Sequence, residues 1–256
     1  MQPDVPLPLW RCDTRARLAF STRRGGVSEP PFDTLNLGRS TLDRPDAVAE
    51  NRRRILAALA LNPNGLATAG QVHGAEVVEV TGAGHHPGCD ALLTRVRGLV
   101  LAVTTADCMS LLLTAPGIVA AVHSGWRGTE AGMPRAALEA VCRASGATPD
   151  QVHVHFGPCI RGCCYEVGPE VATRFPAAAI TTPRPGARPH LDLPAAARAQ
   201  LAQAGVPAAA CFDVGACTSC DPAWYFSHRR DRGRTGRHWA LAALTDADAD
   251  ASGGAV

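Results

Sequence analysis

The sequence predicts a single domain of mixed α/β type. Three observations carry this reading. Short apolar runs rich in Val, Ala and Thr recur along the first 156 residues and are bounded by Gly, Pro and Asn turns. Segments with helical spacing alternate with them. No Gly/Ser-rich linker or internal repeat divides the 256 residues, a length that supports a core of useful size.

The elements follow in order. Residues 15–24 (RARLAFSTRR) read as a first strand ending at Gly25–Gly26, and 27–45 as a loop. Residues 46–61 place Val48, Ile55, Leu56 and Leu59 on one helical face, and Asn62–Pro63–Asn64–Gly65 stops that helix. Strands are expected at 76–80, 90–94, 98–104 and 117–123. A helix then starts after Ser124–Gly125 and runs through MPRAALEAVCRAS. QVHVHF at 151–156 alternates as a strand, 166–175 and 194–204 read as helices, and 176–193 as a Pro-rich loop. The domain is expected to span 1–245, with the acidic, small-residue tail 246–256 disordered.

Composition narrows the chemistry. The net charge of +2 gives no field that would draw nucleic acid or an acidic membrane. All 25 basic residues are Arg and none is Lys. That excludes Schiff-base chemistry and a P-loop lysine, and leaves phosphate to Arg or to backbone N–H groups. Ten cysteines in 256 residues are too few for a disulfide scaffold. The start, MQPDVPLPLWRCD, lacks the pattern of a signal peptide, so a reducing cytoplasm with free thiols is expected. Gly98 to Val122 carries one charge, Asp107, but Pro116 and Gly117 break it, so buried strands fit better than a membrane span.

Several metal-like patterns also have plain readings. His85–His86 with Cys89 sits in a Gly/Pro loop, and His153 and His155 share one strand face. Cys217-x-x-Cys220 has no second CxxC, and Cys163–Cys164 reads as two structural thiols. A stronger trio is His73 before one strand, Cys108 after another and His123 at the end of a third. One thiolate and two imidazoles suit zinc, and three protein ligands leave a position open for water or substrate. The plain alternative is a buried Cys with two hydrogen-bonded histidines.

The segments TRRGGVS, LNLG, NRRRIL, QVHG, CDALLT, TADC, HSGWRGT, GPCIRGCCYEVG and SHRRDRGRTGR occur in that order over nearly the whole chain. Together they resemble the bacterial YfiH/YlmD family, also labelled polyphenol oxidase or laccase domain and related to human FAMIN. The resemblance implies an α+β fold, a single layered domain with a mixed β-sheet core flanked by helices, like that of the cytotoxic necrotising factors. It implies a purine nucleoside phosphorylase acting on adenosine, inosine and methylthioadenosine, with adenosine deaminase activity. It places the metal ligands on His73, Cys108 and His123, with Zn²⁺ as the metal and Cu²⁺ as a substitute. The partners are then purine nucleosides and phosphate, with no nucleic acid or membrane, in a monomer or homodimer. Ser124 stands where the family usually has Ala.

The laccase label itself fits the residues poorly. A multicopper oxidase needs several paired HxH motifs and a blue-copper Cys, whereas only His153–Val154–His155 has that form among nine histidines.

Phosphorolysis requires a bound phosphate, stabilisation of a cationic ribosyl centre and help for the departing base. Arg127 in GWRG is the first phosphate candidate. Arg23, Arg24, Arg229, Arg230 and Asn36, all in family motifs, are further substrate or phosphate candidates. Asp107 is a candidate acid/base or partner of a metal-bound His, or else a turn cap. Three alternatives stay open: a cysteine hydrolase or amidase using Cys108 and His123, for instance in cell-wall precursor editing; a copper-dependent polyphenol oxidoreductase; and a non-enzymatic metal-binding protein.

Overall fold

The computed structural model describes residues 9–13 and 16–245. Strands β1 (Leu9–Asp13) and β2 (Ala16–Phe20) precede helix α1 (Pro45–Ala58). Then come β3 (Leu66–Ala69), β4 (Val77–Glu79), β5 (Gly84–His86), β6 (Ala91–Thr94), β7 (Val100–Thr105), β8 (Met109–Ala115) and β9 (Ile118–Ser124). Helices α2 (Trp126–Glu130) and α3 (Met133–Ser145) lead to β10 (His153–Phe156) and the one-turn α4 (Pro169–Ala172). The chain closes with β11 (Ile180–Thr181), β12 (His190–Leu191), α5 (Leu193–Gln203), β13 (Cys211–Asp213) and β14 (His238–Leu244).

Two mixed six-stranded sheets result, ordered β1-β2-β14-β7-β3-β5 and β13-β10-β8-β9-β6-β4, beside a small β11–β12 pair. Strand alternation assigns the layers. Leu18, Leu101, Val103, Ala240 and Ala242 of the first sheet share one buried cluster with Leu92, Leu112, Val119 and Ala121 of the second. Leu111, Leu113, Ala120 and Val122 turn to the opposite face, against Ala137, Leu138 and Val141 of α3 and Ala197 and Leu201 of α5. Ile55 and Leu56 of α1 cover the outer face of the first sheet over Val100, Trp239 and Leu241. The order is helix, sheet, sheet, helix. With both faces covered, β8, β9 and β14 are buried at every position, which is why they read as continuous apolar runs.

The mixed architecture with few helices agrees with the expected fold class. Several local expectations need correction. The helix after Ser124–Gly125 is two helices, because Gly132 takes φ 86° between them and starts α3 as a left-handed cap. The helix expected at 166–175 shrinks to the turn α4, and the loop 176–193 carries the β11–β12 pair. The apolar stretch from Gly98 to Val122 is three strands, and no helix among the described residues is long and apolar enough to cross a membrane. The tail 246–256 lies outside the described residues.

His238 begins β14 and is buried, and its Nε2 accepts a hydrogen bond from the Phe226 backbone N–H at 3.0 Å. Burial, together with Arg23, Arg237 and Arg230 nearby, pushes its pKa down to about 3. The unfolded chain therefore binds a proton below about pH 6.5 that the folded chain refuses. Stability is full above that value and falls as pH drops toward 3. The expected contribution is up to about 1.4 kcal/mol per pH unit. Urea unfolding of wild type and His238→Gln at pH 7, 5.5 and 4.5 should show a shallower acid loss in the variant. Equal slopes would mean His238 is not held neutral.

Candidate active site

The site forms at one rim of the paired sheets, where β9 and the β3–β4 and β7–β8 connections end together. The β3–β4 connection begins with QVHG. The Gln71 amide closes on β7 as a strand edge would: Nε2 donates to Thr104 O at 2.6 Å, and Oε1 accepts from Thr104 N at 2.8 Å. The next three residues converge on Asp90, which is fully buried at the start of β6. Its carboxylate accepts the backbone N–H groups of Val72, His73 and Gly74 at 3.1, 2.9 and 2.8 Å. The same Oδ1 lies 2.8 Å from Nδ1 of His123. One carboxylate thus seats the His73 loop and, by taking Nδ1, leaves Nε2 of His123 for the site.

Cys108 enters from the β7–β8 turn. Asp107 beside it has φ 86°, and Gln71 and His73 have φ 60° and 63°. Non-glycine residues pay for that conformation, and such strain collects at functional sites. The ligand atoms of His73, Cys108 and His123 all lie within 4.8 Å of one another. The His73 and His123 rings meet edge to face, with centroids 4.9 Å apart. Gly125 follows from this crowding, since a Cβ there would stand 3.0 Å from Cys108 Sγ and 3.3 Å from His73 Cδ2. Gly128 likewise lets α2 approach the QVHG loop, where a Cβ would stand 2.9 Å from Gly74 O.

Burial pushes the Cys108 thiol up, but hydrogen bonding and charge from His123 and His73 outweigh it and bring it down to about 6. Burial pulls His123 down, while Asp90 and Cys108 outweigh that and raise it to about 9. The trio is therefore primed to present a thiolate. A thiolate beside two imidazoles, one oriented by a buried carboxylate, is a donor set that fits a borderline metal ion such as zinc.

The trio lies in a cavity of about 640 Å³. Asp107, Arg229, Arg39, Arg52, Arg237 and Tyr165 also line it. The Asp107 carboxylate is occupied: Oδ1 accepts the Thr218 hydroxyl and Oδ2 the Arg229 backbone N–H, both at 2.6 Å. The expected arginines separate. Arg229 reaches the cavity, stacked over Tyr165. Arg127 is exposed on α2 over the ring of Trp126 and outside the cavity lining. Arg23 pairs with Asp33, and Arg24 donates to Ala223 O while stacking on Trp224. Arg230 binds Asp231 and the carbonyls of Thr218 and Tyr225. Asn36 is fully buried and braces the loops, donating to Thr41 and Asp43 and accepting from Arg237 N. The HxH pair is elsewhere, with His155 stacked on Phe212. Four thiols, Cys163, Cys164, Cys217 and Cys220, also cluster.

The family model for multi-copper polyphenol oxidoreductase laccase matches residues 17–245. The chain belongs to this family. A family relative from Deinococcus radiodurans, named a purine nucleoside phosphorylase, is 43% identical over 245 residues and 93% of each chain. The YlmD structure from Geobacillus stearothermophilus superposes with a TM-score of 0.86 at 35% identity, covering 90% of this chain and 92% of that one. The Bacillus licheniformis YfiH structure gives 0.84 at 29% identity, covering 93% and 99%.

Sequence reasoning passed over Asp90, Arg39, Arg52 and Arg237. Signals existed: Asp90 lies in CDALLT, Arg52 in NRRRIL, and Arg237 ends SHRRDRGRTGR.

Asp90→Asn keeps the shape but loses the charge that orients His123 and gathers three N–H groups. Loss of such an outer partner costs about 10–100-fold in metal affinity. Competition against a chromogenic zinc chelator should show that drop. Asp90→Ala should in addition unfold at lower denaturant, by about 2–4 kcal/mol, since it strands buried donors. Unchanged metal affinity in both would remove Asp90 from the site.

Proposed function

We propose that this chain is a zinc-dependent purine nucleoside phosphorylase acting on adenosine, inosine and methylthioadenosine, with adenosine deamination at the same centre. The observation that carries it is Arg52. Its guanidinium is buried beside a cavity shared with the thiol–imidazole trio and stacks on the Trp239 ring; Nε and Nη2 donate to Leu37 O, and Nη1 has no hydrogen-bond partner among the described residues. Burial, with Arg39 nearby, pulls its pKa down to about 10. A buried donor left open is costly and marks the place of an absent acceptor. Arg39 is exposed at the same cavity and has no ion pair among the described residues, while Arg237 donates only to backbone carbonyls. Three guanidinium groups at the cavity, none in an ion pair among the described residues, fit a phosphate dianion.

In this reading Arg39, Arg52 and Arg237 hold phosphate, and Arg229 adds charge from the Tyr165 side. Asp107 positions Arg229 through its backbone N–H and is not a free base. Ile160, Leu193 and Tyr165 offer an apolar wall to the purine. Burial pushes the Tyr165 phenol up to about 12, so it stays a hydrogen-bond donor. Oriented phosphate forms a bond to the ribosyl carbon as the bond to the base breaks, giving free base and ribose 1-phosphate. His73, Cys108 and His123 would hold the zinc, which supplies Lewis-acid polarisation and draws the pKa of water toward neutrality. Copper competes for the same ligands by the affinity series.

A cysteine hydrolase has support of its own, since the lowered Cys108 thiol, the raised His123 and Asp90 form a nucleophile–base–carboxylate series. Metal separates the two readings. Cys108→Ala should lose the zinc held by the trio and phosphorolysis together. Full activity in zinc-stripped wild type would favour the hydrolase. Adenosine with phosphate should yield adenine and ribose 1-phosphate, and phosphate-independent release of ribose at a similar rate would overturn the phosphorylase reading.

Arg39→Ala and Arg52→Lys should raise the KM for phosphate about ten- to hundred-fold, the range of a charge-assisted contact of about 1.5–3 kcal/mol. Zinc content should hold and deamination should fall less. Arg127→Ala should leave the phosphate KM unchanged. A larger effect at Arg127 than at Arg39 would return the phosphate role to α2.

A further inference from the structure

The four thiols stand apart from the proposed reaction. Cys163 and Cys164 come from the loop after β10, and Cys217 and Cys220 from the loop after β13. Their sulfurs lie within 4.8 Å of one another, with Cys220 Sγ 3.5 Å from Cys163 Sγ and 3.3 Å from Cys164 Sγ. Four sulfurs bound tetrahedrally at about 2.3 Å stand about 3.8 Å apart, so the cluster has the dimensions of a closed four-coordinate site. The backbone is built to receive it. The Arg230 guanidinium holds the Thr218 carbonyl at 2.7 Å and the Ser219 carbonyl at 3.5 Å, which fixes the Cys217–Cys220 turn and brings a positive charge beside it.

We propose that Cys163, Cys164, Cys217 and Cys220 form a second, structural zinc site that staples the β10 and β13 loops together. Four thiolates leave no position for water or substrate, so the site is closed and has no catalytic turn. The four thiols are free, and sulfur separations of 3.3 and 3.5 Å are far beyond a disulfide bond of about 2.05 Å. Soft all-sulfur ligation selects zinc over the hard divalent cations. The staple bears directly on the cavity wall. Cys164 precedes Tyr165, which lines the cavity, and Cys217 precedes Thr218, whose hydroxyl donates to Asp107. The two loops also meet through the parallel bridge between Cys159 and Cys217.

This site is independent of the phosphorylase reading, and its test is kept separate from activity. The full chain carrying Cys108→Ala and His123→Ala, purified in reducing buffer, should retain one zinc per chain by elemental analysis. X-ray absorption at the zinc edge should show an all-sulfur shell near ~2.3 Å. Cys217→Ser with Cys220→Ser in an otherwise wild-type chain should lose that ion and no other. In wild type, peptide mapping after alkylation should find all four cysteines protected until a chelator is added. Three results would overturn the proposal: a folded Cys108/His123 variant free of zinc, iron in place of zinc, or an intact mass showing a disulfide among the four. Alkylation of the exposed Cys163 and Cys220 at equal rates with and without zinc would do the same, whatever the folding of the variants.

Discussion

The Asp90 carboxylate is the contact on which the rim of the molecule depends. It is buried, it accepts three successive N–H groups of one loop, and it fixes the ring of a histidine on a strand. No single one of these bonds is unusual. Their convergence means that the loop bearing His73 and the strand bearing His123 cannot be placed separately. Burial works against the charge, and the donors outweigh it, holding the carboxyl below its ordinary range. A network of this kind is stable only when every member is present, so the candidate centre should assemble or fail as a unit.

Around that anchor the arginines divide into two kinds of work. Arg23 and Arg230 pair with Asp33 and Asp231, Arg24 stacks on Trp224, and all three donate to backbone carbonyls, bracing long loops that have little regular structure. Arg39, Arg52 and Arg237 border the cavity without a carboxylate beside them. In a chain without lysine, both tasks fall to the same side chain. Composition alone therefore could not tell a brace from a ligand. The planar fork suits each, and what separates them is which guanidinium groups border the cavity.

Much of the architecture was legible from residue order. The strands at 90–94, 98–104 and 117–123 were, because their apolar runs are short and bounded by turns, and so was α1 from its helical face. β14 was not, because HWALAAL is buried on both faces and its alanines carry no period-two pattern. The break at Gly132 was missed although Gly132 and Pro134 mark a helix start, because the helical spacing on either side reads as one run. The trio of His73, Cys108 and His123 could be nominated from residue type and strand ends. Asp90 stood in CDALLT but its role could not be read there, because a carboxylate that works through three backbone N–H groups leaves no spacing in the sequence. The thiol cluster shows the same limit from the other side: two unremarkable pairs, more than fifty residues apart, meet only when β10 and β13 pair in parallel.

The left-handed backbone at Gln71, His73 and Asp107 has an evolutionary consequence. Glycine would relax each of these positions, and asparagine nearly so, yet either exchange removes a side chain that lines the cavity. Selection for heat resistance alone would thus tend to erode the cavity rim, whereas selection for turnover would preserve its discomfort. A lineage that gave up the cavity while keeping the scaffold should show that history first as glycines entering at these three positions, with the double-sheet core left intact.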